Sequence, residues 1–443
     1  MTTATLLDTY AAAAAALLSG AAAGEPRTLR EKRQAAARRF AELGFPTTAE
    51  ESWRSTSVAA IEKAALPVAG PVKVDAALAD RARALAYEGC DLLVFVDGRH
   101  APELSRLGAL PDGSYAGSLA TALGESPDRV TAALGRAVRF EDHAFAALNT
   151  ALFADGAFVF LPRAAVLERP LQILYLASGA PVAAFPRTLI VAGEASQAAI
   201  VEHYAGPDGA TYWTCAVSEV VAADQAIVDH YRVQREGDRA FHTMVQEVEL
   251  GRGSSVASHA ISLGAQLARH DVRARLAGEG GDAILNGLYM LSGSQLSDTH
   301  MLVEHEAAHC ASHELYKGVL DGRSRGVFNG KIHVHPGAQK TDAKQTNRNL
   351  LLSREALANS NPQLEIYADD VKCTHGSTVG QLDADAIFYL RSRGIGVEAA
   401  KSLLTYAFAS DIVERVKVEP VRRDLEAYLF GWLPMGDVVR QAV

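Results

Sequence analysis

VAGEASQA from Val191, VAADQAIV from Val221, LGRGSSVA from Leu250 and LAGEGGDA from Leu276 follow one pattern: an apolar pair, a polar or glycine turn, then small residues. Successive copies begin 30, 29 and 26 residues apart. Short apolar runs such as LQILYL (171–176), AIVEHY (199–204), AIVDHYRV (226–233) and HTMVQEVEL (242–250) fill the intervals, with no sustained helical periodicity. A near-constant period across a region of short strands marks an architecture in which each repeat buries its face on the next. Spacing alone leaves a solenoid and a propeller open. The short strands and the lack of a Trp-Asp blade signature favour a β-helix.

Working outward, this texture runs from residue 156 to residue 381 and is flanked by two different regions. Residues 1–155 read as helical and α+β. REKRQAAARRFAEL ends at Gly44 and Pro46, where a helix stop is expected. Thr47 with Glu50 resembles a capping box, DLLVFVD at 91–97 a strand and turn, and Glu141 to Phe153 a helix. Residues 382–443 read as helical again. Asp383 caps a helix to about Arg393 with Gly394 beyond it, and a second starts near Val397 with Leu403, Phe408, Ile412 and Val416 as an apolar stripe. Pro420 then separates a third, from about Arg423 to Phe430.

Composition narrows the function classes. The chain has 443 residues, 49% hydrophobic and 21% charged, which suits a globular protein with a sizeable core. A net charge of -9 opposes general binding to nucleic acid or anionic membrane. The Ala-rich run from Ala11 to Ala23 is short for a membrane span and has no basic residue before it, so it reads as an amphipathic helix of a cytoplasmic protein. Cys90, Cys215, Cys310 and Cys373 form no CxxC pair, which fits a reducing compartment.

Candidate chemistry concentrates near the end of the strand region. Leu364 to Val371 reads as a strand, and on a strand the side chains of Cys373 and His375 share a face. A thiolate and an imidazole together can hold iron or zinc, but two ligands do not close a site. His333 and His335 form an HxH pair like that of cupin metal sites, yet Gly337, Ala338 and Gln339 stand where the following Glu would be, so structural histidines are expected. His305, His309 and His313, around Cys310, have four-residue spacing that would align them on one face; no HExxH accompanies them. No GxxxxGK[ST] loop occurs, so ATP hydrolysis by this chain is not expected.

Two blocks carry a resemblance: NGKIHVHPGAQKTDAKQTNRNLLLS at 329–353 and YADDVKCTHGSTVGQLDADAIFYLRSRGI at 367–395. They resemble the SufB/SufD family of the SUF iron–sulfur cluster assembly machinery, and its SufD branch more than its SufB branch. The resemblance implies a mainly β fold, with a right-handed parallel β-helix core flanked by the N-terminal α+β region and the C-terminal helices. It implies a non-enzymatic scaffold with two partners, a SufB-like subunit at a β-helix edge and a SufC-like ATPase on the terminal helices. It places His375, with Cys373 beside it, at a transient iron or iron–sulfur site shared with the SufB-like subunit, and no tightly bound cofactor on the isolated chain. A homodimer in the partner's absence is left open. Two other classes remain to be weighed: a β-helix polysaccharide-active enzyme, for which no repeated acidic pair lines a strand face, and a cytosolic metalloenzyme built on the histidine-rich strands.

Overall fold

The computed structural model describes residues 3–442. The N-terminal region holds helices α1 (Thr3–Ser19), α2 (Arg27–Leu43), α3 (Ala59–Ala64), α4 (Ala76–Leu85), α5 (Leu119–Glu125), α6 (Pro127–Thr131) and α7 (Ala144–Leu152). Among them run strands β1 (Asp91–Val96), β2 (Arg99–His100) and β3 (Tyr115–Ser118). The Ala-rich stretch is helical because Leu6, Tyr10 and Ala14 recur every four residues and are buried together. Helix α2 stops at Gly44, whose φ of 68° suits glycine and whose N–H bonds the Phe40 carbonyl. The Glu50 carboxylate reaches back to the Thr47 N–H at 2.8 Å, as a capping box requires. Among the described residues, no helix is long and apolar enough to cross a membrane.

From Gly156 the chain winds as a parallel β-solenoid of about eight turns. Its strands are β4 (Gly156–Leu161), β5 (Leu171–Leu176), β6 (Ala183–Ala184), β7 (Arg187–Ala192), β8 (Gln197–Ala205), β9 (Trp213–Ala222) and β10 (Ile227–Arg235). There follow β11 (Phe241–Leu250), β12 (Ser255–Ser262), β13 (Leu267–Leu276), β14 (Asp282–Leu291) and β15 (Leu296–His305). The last five are β16 (Ala311–Leu320), β17 (Arg325–Val334), β18 (Asp342–Leu351), β19 (Leu357–Ile366) and β20 (Lys372–Gly380). Alternate strands stack into two parallel faces, one ordered β5-β8-β10-β12-β14-β16-β18-β20 and the other β4-β7-β9-β11-β13-β15-β17-β19. Alternation along each strand sends apolar side chains such as Val228, Val256, Val272, Val303 and Ile332 into one continuous core between the faces.

All four sequence repeats are corners joining one face to the other. Each corner carries a residue in the left-handed region: Ala164, Ala195, Gln225, Gly253, Gly280, His309 and Lys340 have φ between 56° and 73°. Their N–H groups bond the carbonyls of Glu194, Asp224, Arg252, Glu279, Ala308, Gln339 and Asp370 in the next coil, at 2.6–3.1 Å. This ladder offsets a left-handed cost of about 1–2 kcal/mol per non-glycine residue.

The two ends of the stack differ. Short antiparallel strands β2 and β3 finish one end, and short edges present few unpaired groups. At the other end β19 and β20, 10 and 9 residues long, have no strand beyond them among the described residues.

Helices α8 (Ala384–Ser392), α9 (Val397–Val413), α10 (Glu419–Trp432) and α11 (Gly436–Ala442) close the chain. Asp383 caps α8 as expected, its carboxylate accepting the Asp385 N–H at 2.9 Å. Ile412, Val416, Leu425 and Leu429 pack on the outer face of the solenoid against Val233, Leu288 and Val319, so the apolar stripe is core. Pro420 does not separate two helices. It lies in the first turn of α10, where its missing N–H costs nothing. Helix α8 buries no residue, and its Phe388 and Tyr389 are 71% and 57% exposed.

Candidate functional site

Leu364 to Val371 is not one strand. β19 ends at Ile366, residues 367–371 make the last corner, and Cys373 and His375 sit on β20. Tyr367 and Val371 look strand-like in sequence, but the Asp370 carbonyl is the ladder acceptor for Lys340, and this turns the chain. The shared face survives, since the two residues still lie two apart on one strand.

That face is the inner one. Cys373 pairs in register with Ala343 and His375 with Gln345, both buried inward-facing residues of β18. Because no coil follows, the inner face of β20 forms the open mouth of the solenoid. Cys373 is half-buried against the core, while His375 is exposed. Burial, and secondarily the Asp342 carboxylate, push the Cys373 thiol up, so it is held as a neutral thiol rather than a thiolate. His375 has no side-chain hydrogen-bond partner among the described residues and is the freer ligand. Leu357, Ile366, Tyr367 and Val379 add exposed apolar surface around this end.

The other histidine candidates separate. His305 ends β15, fully buried, with Nε2 at 2.9 Å from Ser312 Oγ; burial lowers it to about 4. His309 is the left-handed corner residue and His313 stands on the outer face of β16. Four-residue spacing does not align them because a corner intervenes. Cys310 is buried, and burial raises its thiol. It likewise lifts Cys90 to about 11 and Cys215 to about 12.

His333 on β17 and His335, one residue past its end, do lie side by side, with ring centroids 4.5 Å apart. Carboxylates missing from the local sequence come from neighbouring coils: Glu304 and Glu306 lie with His335 within 4.8 Å, and Glu365 accepts from His333 Nδ1 at 3.0 Å. Arg273 faces Glu304 and Arg275 faces Glu306, so the group forms an alternating charge ladder across coils. The AQKTDAKQTNRN segment belongs to the solenoid itself. It forms a corner and β18, whose Asn347 and Asn349 lie inside the solenoid.

The last coil of the solenoid thus leaves β19 and β20 unpaired, with a histidine and a thiol on its inner face. The family described as the SUF system FeS cluster assembly SufBD core domain matches residues 175–408, and the SufBD N-terminal region matches residues 2–173. The chain belongs to the SufBD family of iron–sulfur cluster assembly proteins. It is 34% identical to a SufBD family protein of Synechocystis over 411 residues, 90% of each chain. It is 31% identical to the iron–sulfur cluster assembly protein SufD of Escherichia coli over 398 residues, 89% of this chain and 90% of that one. Protein ABCI7 of Arabidopsis thaliana chloroplasts is 30% identical over 335 residues, 73% of this chain and 70% of its own.

Proposed function

We propose that this chain is the SufD-type scaffold subunit of a cytoplasmic cluster-assembly complex. Its open β19–β20 end joins a SufB-like subunit, its terminal helices receive a SufC-like ATPase, and His375, with Cys373 beside it, holds iron or a nascent cluster as cargo shared across that joint. The chain itself performs no catalysis in this reading. One observation carries it: two metal-capable side chains lie on the inner face of the last coil, flanked by two unpaired strand edges. Two ligands are half of a closed set, and a partner completing the stack would supply the others.

Co-expression with the two partners is the direct test. The expected result is co-purification, and a chain recovered alone would overturn the assignment. His375→Ala should leave the complex intact while cluster yield, read as bound iron and sulfide, falls about tenfold or more. An unchanged yield removes His375 from the mechanism.

Helix α8 supports the ATPase contact, since a helix burying nothing of its own yet presenting Phe388 and Tyr389 suits a partner's groove. Phe388→Asp combined with Tyr389→Asp should weaken capture of the ATPase about 30-fold, the equivalent of about 2 kcal/mol, with the melting temperature unchanged. Normal capture would move that contact elsewhere.

A further inference from the structure

Behind His375 the register continues inward. His375 of β20 is paired with Gln345 of β18, and Gln345 with Glu314 of β16. In parallel strands, paired residues point to the same face, and each step is about 4.8 Å. The three side chains therefore form a file running from the mouth into the solenoid. Glu314 and Gln345 are 2% and 1% exposed.

The hydrogen bonding along this file is incomplete at one end. Gln345 Nε2 donates to Glu314 Oε2 at 2.5 Å, which fixes the amide so that Oε1 is left over. Gln345 Oε1 is buried and accepts nothing. Glu202, another carboxyl deep in the solenoid, shows how a buried acceptor is normally satisfied. It accepts from Thr188, Tyr204, Ser218 and His230 at 2.6–2.9 Å. A buried acceptor left without a donor costs about 1–3 kcal/mol, so its presence calls for a reason. Space is reserved for it too: a Cβ on Gly330 of the facing strand would lie 2.4 Å from Gln345 Nε2.

We propose that Gln345 and Glu314 are positioning residues for His375. When the outward ring nitrogen of His375 takes up a metal, the inward N–H donates to Gln345 Oε1, and Glu314 holds the amide ready to receive it. Histidine ligands commonly pass their second N–H to a carbonyl or carboxylate, which fixes the tautomer and raises ligand basicity. Here the acceptor stands on the neighbouring strand with no other partner. The proposal rests on the reading of His375 as a cargo ligand.

The test is a zinc titration of the full chain, with histidine ring nitrogens followed by long-range ¹H–¹⁵N NMR. Zinc is a diamagnetic stand-in for the cargo iron. In the unaltered chain, His375 should show one metal-bound and one protonated nitrogen. Gln345→Leu should weaken zinc binding about 10- to 100-fold and lose the single-tautomer signature. Gly330→Ala, which crowds the amide without deleting any polar atom, should shift both readouts in the same direction. Zinc binding and tautomer unchanged in Gln345→Leu would overturn the proposal while leaving His375 as a ligand. Binding unchanged in His375→Ala, or no zinc uptake by the unaltered chain, would overturn the cargo-ligand reading and the proposal with it.

Discussion

Arg269→Ala should be the most destabilising single change outside the apolar core, lowering unfolding free energy by about 3–5 kcal/mol. Arg269 is 1% exposed and bridges Asp298 at 2.5 Å and Asp271 at 2.7 Å. It also donates to the Ser52 carbonyl at 2.9 Å and lies 4.2 Å over the Trp53 ring. Thr56 donates to the same Asp298. Removing the guanidinium strands a fully buried carboxylate and releases the 51–56 segment from the solenoid. Urea unfolding should show the loss, and limited proteolysis should find new cleavage near Trp53. A variant unfolding at the unaltered midpoint would mean that the two aspartates find other partners.

Glu314→Gln should stabilise the chain at neutral and alkaline pH and do nothing in acid. Burial raises the Glu314 carboxyl from its ordinary 4.5 to about 8, and its one donor, Gln345, only partly opposes this. The folded chain thus keeps a proton that the unfolded chain releases above pH 4.5, so stability falls as pH rises through that window. Glutamine mimics the protonated form and removes the penalty. The difference between variant and unaltered chain should be absent below pH 4.5, grow by about 1.4 kcal/mol per pH unit, and level off above about 8. Buried neutral histidines such as His203, His259 and His305, each lowered to about 4, impose an opposite trend in acid, but it cancels in this comparison. Parallel pH dependences in the two proteins would show that Glu314 ionises normally.

The corners at Val191, Val221, Leu250 and Leu276 were legible because small residues and glycine fill their turns. The later three escaped because His309 and Lys340 occupy the left-handed position, and because the last corner contains Tyr367 and Val371. The inter-coil bond, not glycine, sustains that conformation, and a bond to a residue about 30 positions away leaves no local mark. The same limit applied to the site. Cys373 and His375 could be placed together because a strand repeats every two residues. Gln345 and Glu314 could not be placed behind His375, since that alignment depends on the length of every corner between them. Likewise, a cupin-type motif would place a carboxylate three or four residues after the HxH pair, whereas those beside it lie a full coil away.

The missing neighbour beyond β19 and β20 also sets a timescale. Each coil of such a stack is held only by the coils on either side, so local opening spreads inward from an end and is least costly there. Amide hydrogens of β20 should therefore exchange first and those of β10 to β14 last. Cys373 and His375 then ride on the shortest-lived pairing in the solenoid, and whatever covers that edge lengthens its lifetime. Under the proposed function, docking on that edge would slow the opening of the coil that carries His375 and so lengthen the lifetime of the cargo site.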